Sequence, residues 1–170
     1  MIGRSLFILL TVLSTGCMTA RHEDISSRPE YVDLINTTYR SREVMLIHGV
    51  TLDANYKKVV DIYSLTPKPG IGGPEILSQD ELPVGTTIRV VRVLACMNCI
   101  FGGGDELEVE LPTLTKYASH PTTIGFTFGG KDILLKEGGK ASLNSALFEK
   151  MHVTDSQTGV SSRRSQAPRS

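Results

Sequence analysis

Cys96-Met97-Asn98-Cys99 is the one motif in the chain whose residue types and spacing carry chemistry of their own. Two cysteines separated by two residues can form a disulfide, cycle as a redox couple or supply half of a metal site. A thioredoxin-like site sets its first thiol at a helix N-terminus, where the helix dipole lowers the thiol pKa. Here Ile100-Phe101-Gly102-Gly103-Gly104 follows, and consecutive glycines are poor helix formers, which disfavours that use. A structural zinc site needs further ligands, and His48, His120 and His152 stand at no recognised spacing from the pair. The simplest account is a disulfide between Cys96 and Cys99, with thiol-active redox chemistry as the alternative. No Ser/His/Asp arrangement announces itself, and His48 lies in an apolar run as an interior or edge residue would. Gly70-Ile71-Gly72-Gly73 lacks the strand, helix and lysine of a phosphate loop. No catalytic residue, metal or cofactor is expected.

The start of the chain has the three-part layout of an export signal: Arg4, the apolar stretch Leu6 to Leu13, then the small residues Ser14, Thr15 and Gly16. The apolar stretch is far shorter than the roughly 20 residues a helix needs to cross a bilayer. Leu13-Ser14-Thr15-Gly16-Cys17 resembles the lipobox of bacterial lipoproteins, with Ser14 where Leu is usual. The resemblance implies cleavage before Cys17, acylation of that cysteine with palmitate-type chains, and stable attachment, because several chains on one residue hold firmly where one does not. An ordinary cleaved signal with an incidental cysteine is the competing account. Met18 stands where Asp would retain a lipoprotein at the inner membrane, so the expected location is the outer membrane, facing the periplasm. After export, Cys96 and Cys99 meet an oxidising compartment where a disulfide persists.

Four segments are expected: a signal over 1–16, a lipidated N-terminus and tether over 17–30, one domain over 31–153, and a disordered tail over 154–170. Arg21 to Pro29 is polar and lacks apolar periodicity, as a tether would. The tail is rich in Ser, Arg and Gln and cannot bury enough apolar surface to offset its ordering entropy. Its Arg163, Arg164 and Arg169 read as solvated charges that could also meet a polyanion or acidic membrane.

The domain reads as mainly β. Aromatics are sparse while Val, Ile, Leu and Thr are plentiful. Tyr31 to Asn36 predicts a short helical turn with Ser27 as its cap. Val44 to Leu52 predicts a strand with a bulge at Gly49, returning through Asp53, Ala54 and Asn55 to an apolar run at Val59 to Tyr63. Pro67 to Pro74 holds three prolines and three glycines and must be a loop, either a surface excursion or a binding loop that lets a backbone approach closely.

Thr87 to Leu94 is the clearest strand, although its period of two groups Ile88, Val90, Arg92 and Leu94 on one face. Glu106 to Leu111 alternates cleanly and should pair with it, with Leu107, Val109 and Leu111 inward. Thr123 to Phe128 and Asp132 to Leu135 flank Gly129-Gly130-Lys131 as a tight hairpin. Ser142 to Met151, with Leu143 and Leu147 one helical repeat apart, predicts one short C-terminal helix.

These elements predict a small barrel or sandwich. Leu82-Pro83-Val84-Gly85-Thr86-Thr87-Ile88-Arg89-Val90-Val91 resembles a segment of small SH3-like barrels in exported bacterial proteins; the likeness implies a fold and no active site. The charge is balanced, 18 basic against 18 acidic residues, so no global field recruits nucleic acid. The expected role is a non-enzymatic envelope lipoprotein that binds an envelope protein or a cell-wall polymer. An apolar patch near Ile71 or Phe101 would favour it.

Overall fold

A computed structural model describes residues 22–97 and 104–151. Thirteen strands form in these segments: β1 (His22–Asp24), β2 (Thr38–Ser41), β3 (Met45–Val50), β4 (Ile62–Pro67), β5 (Ile76–Leu82), β6 (Thr87–Cys96), β7 (Glu106–Glu110), β8 (Thr122–Gly125), β9 (Thr127–Phe128), β10 (Lys131–Asp132), β11 (Leu134–Glu137), β12 (Lys140–Leu143) and β13 (Phe148–Lys150). A single 3-10 turn spans Thr115–Tyr117. The main sheet runs β13-β2-β6-β7-β8-β4-β3-β5, with β1 added to the free end of β6. Among the described strands only the β4–β8 pair is parallel.

This is a mainly β fold, but the sheet is open and mixed and does not close into a barrel. One edge strand, β5, exposes Ser78, Gln79, Asp80 and Glu81, and the other, β13, exposes Glu149 and Lys150. Charged edges of this kind oppose further strand pairing, including pairing with each other. Turns over residues 25–37 and the hairpins β9–β10 and β11–β12 lie outside the main ladder. Their Tyr31, Leu34, Ile133 and Leu143 join Met45, Ile47, Ile88, Val93 and Leu107 of the sheet in one contiguous core.

The central hairpin β6–β7 forms as expected, and a bulge corrects its facing. Val90 pairs with Val109 and Arg92 with Glu108, so Val91 is the extra residue. Strict alternation would have buried Arg92 beside Val90. The bulge instead sends Arg92 outward and Val93 inward, where it is fully buried. Arg89 then meets Glu110, and Arg92 meets Glu108, across the outer face.

The C-terminal helix is not formed. Lys140–Leu143 pairs with Leu134–Glu137 across the turn Gly138-Gly139, whose φ values of 57° and 77° suit the paired left-handed residues of a hairpin turn. Asn144 then closes a single turn: its carbonyl accepts from the N–H groups of Leu147 and Phe148, and its side chain accepts from Ala146 N–H and donates to the Asp132 carbonyl. Leu143 and Leu147 are both buried, as a helix would have required, but they belong to separate elements. The Gly129-Gly130 turn is present as β9–β10, but the hairpin is only two residues long on each side: Thr123 to Gly125 belongs to β8 of the main sheet, and Leu134 and Leu135 pair with β12.

The expected tether is also corrected from His22 onward. The strand β2 covers β6 only from Thr87 to Arg89, which leaves the far end of β6 unpaired. There β1 pairs with Leu94, Ala95 and Cys96, Ser26 Oγ accepts from Val93 N–H, and Ile25 is buried. A succession of turns over 26–36 buries Tyr31 and Leu34, while Ser27 is exposed and makes no cap.

Burial and exposed charge should separate cleanly in unfolding experiments. Leu107→Ala, at a side chain with 0% exposure, is expected to cost about 2–5 kcal/mol in urea unfolding. Glu110→Gln, which breaks a half-exposed ion pair, should cost less than about 1 kcal/mol.

Candidate functional site

Cross-strand register sets a row of polar side chains on the outer face. Arg92, Glu108, Thr123, Ser64, His48 and Gln79 follow one another across β6, β7, β8, β4, β3 and β5. Arg92, Glu108, Ser64 and Gln79 of this row keep contact with solvent. His48 points to the same face but is covered, because the connection from β4 to β5 must cross β3.

Strands β4 and β5 flank β3 and are both antiparallel to it, so they point the same way. The chain leaves β4 at Pro67 and enters β5 at Ile76, spanning the length of β3 on its outer side. This is the Pro/Gly-rich segment of the sequence. Gly70 has a φ of 88°, and a Cβ there would lie 2.6 Å from Leu46 Cδ1 and 3.1 Å from the His48 ring. The segment therefore lies directly against β3, and every residue of β3 is buried. The close approach allowed by glycine serves the chain's own sheet.

Under this crossover His48 is fully buried. Its Nε2 lies 3.1 Å from Thr66 Oγ1, and its Nδ1 has no hydrogen-bond partner. Burial holds the ring's pKa below the ordinary histidine range, so the neutral form is favoured. His120 packs edge-on to Tyr63, with ring centroids 6.1 Å apart. The register places the Tyr63 side chain on the face opposite to His48, so the two histidines do not converge. His152 lies outside the described residues, as do Cys17, Cys99, Phe101 and the tail arginines. No group of three or more His, Cys, Asp or Glu side chains among the described residues is arranged to hold a metal ion.

Cys96 ends β6 and is disulfide-bonded, its partner lying outside the described residues. It pairs with His22, and its N–H donates to Asp105 Oδ1 at 3.1 Å. A strand end beside a carboxylate is the opposite of the electropositive setting that stabilises a thiolate.

The candidate site is a groove of about 830 Å³ on the outer face, beside the crossover. Leu52, Ile62, Ile71, Leu94, Phe126 and Phe128 supply its apolar walls. Ser64, Thr66 and Thr123 bring hydroxyl groups to it, and Asp105, Glu106 and Glu108 bring carboxylates. His22 stands at the same groove and pairs with Glu106 at 3.3 Å. Its volume falls in the range of ligand sites, roughly 300–1,000 Å³, and its mix of apolar wall and few polar groups is typical of them. Ile71 was legible as a candidate because it sits in a glycine-rich loop. The other lining residues come from separate strands and carry no motif, so only the pairing assembles them.

A second cluster joins β5 to the 3-10 turn. Asp80 accepts from Tyr117 Oη at 2.9 Å and Lys116 Nζ at 3.1 Å, and these bonds hold its pKa below the usual carboxylate value. It braces the β5 edge of the sheet and is largely solvent-exposed. Among the described residues no helix is long and apolar enough to cross a membrane.

No protein-family model matches the chain, and no curated protein or solved structure matches it.

Two outcomes follow from the crossover. Gly70→Ala should destabilise the fold by about 2–4 kcal/mol, from the positive φ and the contact with Leu46 together. Because the folded chain resists a proton that the unfolded chain takes up near pH 6.5, stability from His48 is full above that value and declines as pH falls below it. Urea midpoints should therefore drop between about pH 7.5 and about pH 5.5, and His48→Gln should flatten that slope. The lowered carboxylates Asp24, Asp33, Asp53 and Asp80 act in a separate window, below about pH 4.

Proposed function

We propose that this chain is an envelope lipoprotein, anchored through acyl chains on Cys17, that works as a non-enzymatic binding module through the outer-face groove. The observation that carries the binding reading is the groove itself. It combines apolar walls with a small set of convergent hydroxyls and carboxylates, beside a crossover that packs closely against β3. Its occupant is an envelope component, a protein or a cell-wall polymer.

The anchor reading gains a geometric consequence from β1. Cys17 precedes His22 by five residues, which span at most about 18 Å when fully extended. His22 lines the groove, so a lipidated Cys17 keeps the groove close to the membrane surface. In this account Cys96 is joined to Cys99, and the bond staples the connection between β6 and β7. So small a loop removes little chain entropy, and the staple mainly sets local shape. The thiol-active alternative has the carboxylate of Asp105 against it.

Intact mass of the protein purified from envelopes tests both parts. The mature chain should begin at an acylated Cys17, with Cys96 and Cys99 resisting alkylation until reduced. Cys17→Ser should move the protein out of the membrane fraction. An unacylated Cys17 ends the lipoprotein reading, and ready alkylation of Cys96 without reductant moves thiol chemistry to the front.

A further inference from the structure

We infer that the groove takes an extended, basic segment of a partner protein, in which Lys or Arg side chains stand beside apolar ones. This inference rests on the binding-module reading and names the chemistry of its ligand. Charge is the first reason. The described lining residues include Asp105, Glu106 and Glu108 and contain no Lys or Arg. Arg92 reaches Glu108 from the neighbouring strand and His22 reaches Glu106, so three carboxylates face one guanidinium and one imidazole. Low-dielectric walls on either side strengthen that excess field, which attracts cations and repels acidic ligands.

Spacing is the second reason. Glu106 and Glu108 lie two residues apart on β7 and point to the same face, as alternate residues of a strand do. Their separation along the strand, about 6.6 Å, equals the repeat of alternate side chains in an extended peptide. Basic residues at every second position would meet both carboxylates. The hydroxyls of Ser64 and Thr123 are neutral donors and acceptors suited to peptide N–H and carbonyl groups, while that of Thr66 is engaged by His48.

The third reason separates a polymer from an enclosed small molecule. Leu52 lines the groove yet is 68% exposed, and the loop that carries it also exposes Val59 by 61% and Tyr56 by 49%. The apolar wall thus passes into an exposed apolar loop at the groove's mouth. Three large apolar side chains left in water on one short loop mark a contact surface for something that extends out of the groove.

Fluorescence anisotropy with the full mature chain tests the inference, using labelled short peptides that alternate Lys with Leu, Glu with Leu, or Lys with Ser. The Lys/Leu peptide should bind, more weakly at higher salt, and the other two should not. Leu52→Ser and Glu106→Gln, both at positions with solvent access, should each weaken it by about tenfold while circular dichroism stays unchanged. Equally tight binding of the Glu/Leu peptide would overturn the basic ligand class and leave the groove as the binding site. Binding of no peptide by a folded chain would overturn the inference and leave the binding-module reading to a cell-wall polymer. Co-sedimentation with phosphatidylglycerol vesicles, lost in Leu52→Ser and unaccompanied by peptide binding, would overturn it in favour of a lipid surface.

Discussion

Burial of β3 on both faces is the constraint on which much else in this protein depends. A strand with both faces covered must carry a near-continuous apolar run, and Met45-Leu46-Ile47-His48-Gly49-Val50 does so except at His48. Its inner face belongs to the core. Its outer face is covered by the Pro67 to Ile76 connection, which crosses it because β4 and β5 lie on either side and point the same way. Gly70 makes the contact feasible, since any side chain there would strike Leu46 and the imidazole. The hidden imidazole is the cost of that packing: one ring nitrogen meets Thr66 and the other meets nothing.

The same crossover ends where the groove begins. Ile71 leaves the covered part of the face and becomes a wall of the open part, against Ile62, Leu94 and the phenylalanines that follow β8. The bulge at Val91 then determines what the rest of the face presents. Without that extra residue Arg92 would enter the core, and Glu108 would lose its partner. With it, the outer face sets Arg89 and Arg92 of β6 against Glu110 and Glu108 of β7, while Ile88, Val90 and Val93 all stay inside. One inserted residue therefore serves both the core and the electrostatics of the site.

At the N-terminal end, β1 fills the stretch of β6 that β2 leaves unpaired, and so the fold begins almost at once after the proposed anchor. A chain that starts its first strand five residues beyond Cys17 has little freedom to swing away from a membrane. The groove residue His22 belongs to that strand, which joins the site to the Cys96 end of β6 five residues along the chain from the proposed anchor.

Local patterns were enough to read the strong strands, the central hairpin, the Gly129-Gly130 turn, the bulge near Gly49, where the register of β3 against β5 shifts between Gly49 and Val50, and the Pro/Gly-rich loop, because each depends on near neighbours and turn chemistry. The Leu143 and Leu147 pair misled, since an i,i+4 apolar pair is equally compatible with two short strands joined by one Asn144-capped turn. The adjacent Gly138-Gly139 was the local signal for the strand account. The polar stretch after Arg21 misled for a different reason: β1 exists only because β6 offers it an unpaired edge. The groove was legible only at Ile71. Its carboxylates, hydroxyls and apolar walls lie far apart along the chain and meet only through strand register, which the long-range pairing decides. The sequence by itself determined the mainly β character, the strong central strands and the cysteine chemistry available, but neither β1 nor the strands β12 and β13. Tertiary structure alone decided which faces those strands present, because a bulge or a crossover reverses or covers a face without changing its local pattern.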